Sequence, residues 1–516
     1  MGVPGLSNYL KPTLKGNALS KEPPARVDNL FLDFNGILHQ AKETVFKNGG
    51  TEKDIYIHVL LYIEQMVELI KPNELLYIAV DGVCPKSKMW QQRTRRYKSK
   101  QDTILAPRKK GEEKCPVWDS NAVTPGTEFM SKLDKALYES TYLKELSKSI
   151  TVIISNSTVQ SEGEQKIMKY LRAQHQDDQS INVIHGLDAD LILLGISCHP
   201  QEIHLYREDD KKKTHCFLSV SNLYNSIRSK HPNVSTKDYI VLSFLMGNDF
   251  LPKNYALNLR QNALDTVLVE YGKVQKKGFH MVVDGKINKD TLVELLKNLA
   301  EQEDVLVKER ADYMVYKNAT RHGNSPQDRF DYWPDYHRDM EVEINFGESG
   351  WKERYYKVIN CEDKIENMCK QYVNGLAWNL KYYTATDPTK DCDQGWYYPY
   401  IHAPLLCDIV KYLNDNEIVL PNSNKQYTPL EQLAIVLPPQ SNKLLPVSWR
   451  KYVWENDKMF MKRFKLDPIG CIFRWECHAI LNEFDEEKVL SDLRKLPLTK
   501  QEKKREQKHE DYMVCV

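Results

Sequence analysis

The eleven cysteines of this sequence are scattered, with no C-x-x-C pair and no Cys/His cluster at structural-zinc spacing. That excludes a zinc finger and points to a reducing, intracellular setting, cytoplasm ahead of nucleus. No apolar run approaches the roughly 20 residues of a membrane helix, so a membrane-spanning role is excluded. Met1-Gly2-Val3-Pro4-Gly5-Leu6 lacks the basic-then-apolar pattern of a secretory signal. Gly2 suits a myristoylation motif, but Ser7 comes one place too late for it. An excess of one charge is missing too: 72 Lys+Arg and 71 Asp+Glu leave a net +1, which by itself makes no case for a polyanionic partner. What remains, 41% hydrophobic and 28% charged residues over 516 positions, describes a globular chain with a large core and two or more modules.

The distribution of charge says more than its total. Residues 86–114 hold eleven Lys/Arg against three Asp/Glu, a local footprint suited to a polyanion. Pro85 can open a helix there. On a 3.6-residue period Lys88, Gln92, Arg95 and Arg96 share one face, and three cations with an amide suit a phosphate. A solvated basic helix is the plainer alternative.

Apolar runs at 27–34, 75–80, 151–155, 181–184 and 202–206 read as strands. Helical spacing follows at 37–40, 55–70, 128–149 and 236–246. Strands alternating with helices predict an α/β domain with a largely parallel central sheet flanked by helices, whose ligands gather at the strands' carboxyl ends. Acids recur along those ends: Asp33, Asp81, Glu162, Glu164, Asp188, Asp190 and Asp249. Singly each has an ordinary explanation, since Ser161-x-x-Glu164 is a capping box, Asp188 can be an N-cap and Asp249 a turn residue. Together, so many like charges would raise one another's pKa unless a cation sat among them. Carboxylates alone suit Mg²⁺ or Mn²⁺, and two such ions about 4 Å apart can activate water and stabilise the leaving oxygen of a phosphodiester.

Five stretches in order resemble the Xrn family of 5′→3′ exoribonucleases. They are Asp-Phe-Asn-Gly-Ile-Leu-His (33–39), Val-Asp-Gly-Val-Cys-Pro-Lys-Ser-Lys-Met-Trp-Gln-Gln-Arg-Thr-Arg-Arg (80–96), Glu-Gly-Glu-Gln-Lys-Ile-Met (162–168), Leu-Asp-Ala-Asp-Leu-Ile-Leu-Leu-Gly (187–195) and Gly-Asn-Asp-Phe-Leu-Pro (247–252). The resemblance implies a flap-nuclease or PIN-like catalytic core. It also implies two Mg²⁺ ions, replaceable by Mn²⁺, held by the seven acids. Lys88, Gln92, Arg95 and Arg96 would bind a 5′-monophosphate, and His39 would stack on the first base. Trp-Tyr-Tyr-Pro-Tyr-Ile-His-Ala-Pro (396–404) resembles the family's second region, where two tryptophans usually precede the Tyr-Tyr pair; with only Trp396 here, it takes the opposing stacking role. Gln165 replaces the family's usual histidine, and Lys253 stands where histidine is common.

The expected organisation is a catalytic domain at 1–260, a charged connector at 261–345 with an exposed loop at 324–328, a mainly helical second region completing the active site at 346–497, and a basic tail at 498–516, disordered or a fraying helix. The expected partner is single-stranded RNA with a 5′-monophosphate, acted on by a monomer, with the decapping machinery as the expected protein partner. Two rivals stand beside this reading. A flap-type DNA endonuclease shares the opening Met-Gly-Val-Pro-Gly-Leu, but the glycine-rich helix-hairpin-helix such enzymes carry after the last aspartate is missing beyond Asp249. An RNA-binding scaffold that has lost catalysis would be expected to lose acids first, and all seven are present.

Overall fold

Each apolar run that ends in a carboxylate becomes a strand of one sheet in the computed structural model, which describes residues 2–14, 17–107, 118–174, 179–209, 214–319, 323, 325–507 and 511–514. Its strands are β1 (Leu19–Ser20), β2 (Asn29–Asp33), β3 (Leu75–Ala79), β4 (Thr151–Ser155), β5 (Ile181–His185), β6 (Glu202–Asp209) and β7 (Thr214–Ser219). Two small hairpins, β8 (Val282–Val283) with β9 (Lys286–Ile287) and β10 (Lys465–Asp467) with β11 (His478–Ile480), lie apart from it, and β12 (Tyr512–Val514) returns to its edge. The order is β1-β7-β6-β5-β2-β3-β4-β12. The five from β6 to β4 are parallel; β1, β7 and β12 run antiparallel to their neighbours.

Helices cover both faces: α1 (Leu6–Leu14), α2 (Phe34–Lys47), α3 (Glu52–Ile70), α4 (Lys86–Leu105), α5 (Glu128–Glu139), α6 (Thr141–Leu146), α7 (Gly163–Ala173), α8 (Asp190–Ser197), α9 (Val220–Lys230) and α10 (Thr236–Phe244). Alternate residues of the central strands feed two cores, as the pleat requires. Phe31 and Tyr77 pack with α7, α8 and α10, whereas Leu30, Leu32 and Ile78 pack with α2, α3 and α5. Among the described residues no helix is long and apolar enough to cross a membrane.

Several sequence expectations change. The 128–149 helix is two, because Ser140 ends α5 at φ −57°, ψ 119° and its hydroxyl caps α6 by accepting from Leu143 N. The fifth strand is longer than 202–206 and pairs with β7, which alternates too weakly to be read as a strand. Residues 261–345 are folded rather than a bare connector. Helices Ala263–Gln275, Lys289–Ala300 and Glu303–Ala319 bury Leu264, Tyr271, Leu295, Leu299 and Val307 in the core that also holds α8. Within the loop expected at 324–328, Asn324 lies outside the described residues, and Ser325 caps a short helix, Pro326–Asp331. The tail likewise has structure where it is described, a helix at Lys500–Lys504 and then β12.

The second region meets the catalytic half along α4. Met89, Val83 and Cys84 pack with the helix Pro429–Val436 and with Trp449 and Phe460. Arg93, 1% exposed, donates to the carbonyls of Ile435 (2.5 Å) and Met459 (2.6 Å), and its guanidinium lies over Tyr97 and Phe484. The basic helix is therefore clamped on one side rather than wholly solvated.

Candidate active site

Six of the seven acids reach one edge of the sheet because the parallel strands β2, β3, β4 and β5 deliver their carboxyl ends there, and Asp249 joins them from the turn after α10. Asp33 is the last residue of β2 and the N-cap of α2. Asp81 follows β3, and both its oxygens are held: Asn35 Nδ2 donates to Oδ2 (2.8 Å) and Gly163 N to Oδ1 (2.7 Å). Glu162 and Glu164 flank Gly163 at the start of α7. Gly163 packs so closely that a Cβ there would stand 2.8 Å from both Ala79 O and Asp33 Oδ1. Asp188 is exposed, and Asp190, buried, opens α8. Asp249 sits in a turn that Asn248 holds by accepting from Phe250 N and Leu251 N, both at 2.9 Å. Gly247 enters that turn at φ +79°, where a side chain would be strained and would meet Lys253 N.

Among the described residues no three His, Cys, Asp or Glu side chains stand close enough to cage an ion as placed. The cation the acids enclose is Lys88, whose Nζ lies 2.7 Å from Glu162 Oε1 and 3.0 Å from Asp249 Oδ2. Burial lowers its pKa, but Glu162 and Asp249 outweigh that and hold it charged. Burial also raises Asp249, which Lys88 nevertheless keeps below the ordinary carboxylate value. Four other acids go the other way. Burial first, then one another's charge, raises Asp33 (Asp81, Asp188), Asp81 (Glu162) and Glu164 (Glu162, against Lys88). Asp190 is pushed up to about 7 by burial and by Asp249. Its Oδ1 is buried with no hydrogen-bond partner. Crowded carboxylates, an orphaned oxygen and an all-oxygen donor set fit a hard divalent cation.

The helix face above the acids is partly as expected. Gln92 is buried, with Nε2 3.8 Å from Cys84 Sγ and Oε1 unpartnered. Arg95 is exposed. Arg96 donates to Thr124 Oγ1 (2.6 Å), and burial, then Arg95, lowers its pKa to about 9. Lys88, assigned by helical spacing to the phosphate, lies in the first turn of α4 and so points among the acids. His39, on α2, is open to solvent yet close enough to protein that burial, then Lys42, Arg95 and Arg96, lowers it to about 4, leaving a neutral ring.

Trp396 is 8% exposed. Its ring packs on Trp378 (centroids 5.2 Å) and against Gly375, and Nε1 donates to Gln371 Oε1 (3.1 Å). Among the described residues no ring contact joins it to His39. Gln165, in the histidine position, is buried with neither amide atom partnered, and Lys253 donates to Gly470 O away from the acids.

Two site residues escaped the sequence reading. Tyr382 and Tyr383, adjacent on the helix Ile365–Thr384, hydrogen-bond to Glu162 and Asp190: Tyr382 Oη lies 2.5 Å from Glu162 Oε2. Consecutive helical residues point about 100° apart, so one helix of the second region reaches two acids. Their only signal was the Tyr-Tyr pair itself, which reads as core.

The chain matches the family description "XRN 5'-3' exonuclease N-terminus" over residues 1–209 and "Xrn1 helical domain" over 233–333 and 332–516. This chain belongs to the Xrn family. Similar curated proteins include the 5'-3' exoribonuclease 2 homolog of Drosophila melanogaster, 27% identical over 94% of this chain and 68% of its own length. The 5'-3' exoribonuclease 2 of Gallus gallus is 28% identical over 94% of this chain and 67% of its own. The 5'-3' exoribonuclease 1 of Homo sapiens is 29% identical over 100% of this chain but only 35% of its own length. The Xrn N-terminal half is thus the PIN-like α/β sheet, and the Xrn helical part carries Tyr382, Tyr383 and the clamp on Arg93. Xrn nucleases are metal-dependent hydrolases, in keeping with the acid cluster.

Proposed function

We propose that this protein removes nucleotides stepwise from the 5′ end of single-stranded RNA bearing a 5′-monophosphate, with Asp33, Asp81, Glu162, Glu164, Asp188, Asp190 and Asp249 as its metal-holding set. The protein is a 5′→3′ exoribonuclease. The observation that carries the finer reading is the buried carboxylate edge lying directly beside a cationic helix face. Two Mg²⁺ ions, replaceable by Mn²⁺, supply when bound the Lewis acidity for water activation and leaving-group stabilisation. The chain's own residues do the rest. Arg95 and Arg96, with the Gln92 amide, hold the terminal phosphate. Lys88 bridges that pocket and the acids as a fixed positive charge, and neutral His39 stacks on the first base. Asn35 and Gly163 N fix Asp81, while Tyr382 and Tyr383 fix Glu162 and Asp190. A triphosphate or cap exceeds the charge and size that two arginines and an amide can enclose.

One RNA carrying 5′-monophosphate, 5′-hydroxyl or 5′-triphosphate, incubated with Mg²⁺ or EDTA, tests this. Mononucleotides from the monophosphate form alone, and only with metal, are expected; equal cleavage of all three ends would overturn the pocket.

Two further results are expected. Gly163→Ala pushes a methyl against Asp33 and the β3 carbonyl and so displaces two acids; a shift approaching 1 Å costs about 100-fold in kcat. Unchanged kcat would show that the acids need no such closeness. The second concerns pH. A carboxyl whose folded pKa exceeds its unfolded one contributes stability that is complete below the unfolded value and lost as pH rises through the folded one. For Asp190 that window runs from 3.8 to about 7. In EDTA, Tm should therefore fall between pH 6 and pH 8, and Mg²⁺ should restore more at pH 8. A Tm that climbs with pH in EDTA would contradict the assignment.

A further inference from the structure

The segment Asp511–Val514 does more than finish the sheet. β12 pairs with β4 in the register Tyr512↔Ile154, Met513↔Ile153, Val514↔Val152. Val514 is 5% exposed in the core beneath α3 and α5, and the Tyr512 ring meets Tyr138 edge-on at 4.8 Å. The alternation of the strand then turns Asp511 to the opposite face, toward α7. There its carboxylate accepts from Ser155 Oγ (2.6 Å) and Tyr77 Oη (3.0 Å).

What lies beside Asp511 is the underside of the active site. Lys166, 4% exposed, donates to the carbonyls of Val80 (2.6 Å) and Asn156 (2.8 Å). Those carbonyls belong to the segments just beyond β3 and β4, and the residue after Val80 is Asp81. Lys166 itself rides on α7, whose first turn carries Glu162 and Glu164. The ammonium thus ties the Asp81 segment to the helix that sets both glutamates. Both of these acceptors are neutral, and a buried ammonium needs a countercharge. Of the carboxylates that attract it, Asp511 acts most strongly, ahead of Asp81 and Asp134.

We propose that Asp511 on strand β12 is a positioning residue for the nuclease site: it anchors Tyr77 and Ser155 and, through Ser155 and the adjoining Asn156 carbonyl that Lys166 ties to Val80, sets Asp81 against Glu162 and Glu164. The proposal rests on the exoribonuclease reading above, so its test carries a readout that needs no RNA.

Asp511→Asn keeps the shape of the side chain and removes the charge. It should weaken Mn²⁺ binding, followed by electron paramagnetic resonance, by about 10-fold, and lower kcat on 5′-phosphorylated RNA by about 10- to 100-fold with KM nearly unchanged, the scale of a lost hydrogen-bonded charge. Val514→Ala loosens the same strand without touching the charge; below its lowered Tm it should bind Mn²⁺ and turn over as the parent does. Unaltered Mn²⁺ affinity and kcat in Asp511→Asn would overturn the proposal, as would losses in Asp511→Asn and Val514→Ala that both simply follow Tm. A parent enzyme that binds Mn²⁺ normally but cleaves no RNA would instead indict the activity reading, leaving the Mn²⁺ comparison to decide on Asp511.

Discussion

Asp190→Asn is expected to reduce kcat on 5′-phosphorylated RNA by at least about 100-fold, the scale on which an active site loses one electrostatic group. The expectation follows from where Asp190 sits. It is 2% exposed at the start of α8, with Tyr383 beside it and Oδ1 unpartnered. Burial and the neighbouring Asp249 push it up to about 7, so without a cation much of it is neutral at physiological pH. Asparagine has nearly the shape of that neutral acid. The variant should therefore fold as well as the parent in EDTA, keep its affinity for RNA, and lose the Tm gain that Mg²⁺ gives the parent. Thermal scans with and without Mg²⁺, set beside single-turnover kinetics, separate the effects. Turnover within about 3-fold of the parent, far short of the loss of one active-site group, would remove Asp190 from the metal-holding set.

The second large effect is on end recognition. Of the four residues predicted to hold the phosphate, Lys88 is engaged by Glu162 and Asp249, Arg96 by Thr124, and Gln92 is buried beneath them. Arg95 is exposed, with its guanidinium free for a ligand. Arg95→Ala should lower kcat/KM for 5′-monophosphorylated RNA by about 10- to 100-fold, as expected for charge-assisted hydrogen bonds to a phosphate. It should leave 5′-hydroxyl RNA nearly unaffected, so that the preference between the two ends collapses. An equal fall on both substrates would mean that Arg95 serves the RNA path generally or holds α4 in place.

Much of this site is local enough to be legible in sequence. A parallel strand buried on both faces is a short apolar run, and its carboxyl end is the next polar residue. Asp33, Asp81 and the Asp188/Asp190 pair therefore declare themselves wherever such a run stops. The basic face of α4 follows from helical spacing alone. Spacing is silent, however, on what a helix end approaches. Lys88 shares the face of Arg95, yet its place in the first turn of α4, nearest the strand ends, sends its ammonium to Glu162 and Asp249. Contacts across long stretches of chain leave no periodic trace either. Tyr382 and Tyr383 look like any aromatic pair in a buried helix. Asp511 looks like one more charge in a polar tail, because three residues of edge strand are too few for alternation to register. Residues 261–345 are hard to read for a related reason: their many charges obscure Leu295, Leu299 and Val307, which lie in the main core.

The central claim is hydrolysis that begins only at a 5′ end. The most direct measurement compares one RNA sequence in two forms, linear with a 5′-monophosphate and covalently circular, incubated with the protein and Mg²⁺. The account predicts nucleoside 5′-monophosphates released progressively from the linear form and an intact circle. Cleavage of the circle at a comparable rate would contradict it, showing that the carboxylate edge cuts internally and that the cationic face of α4 does not select an end.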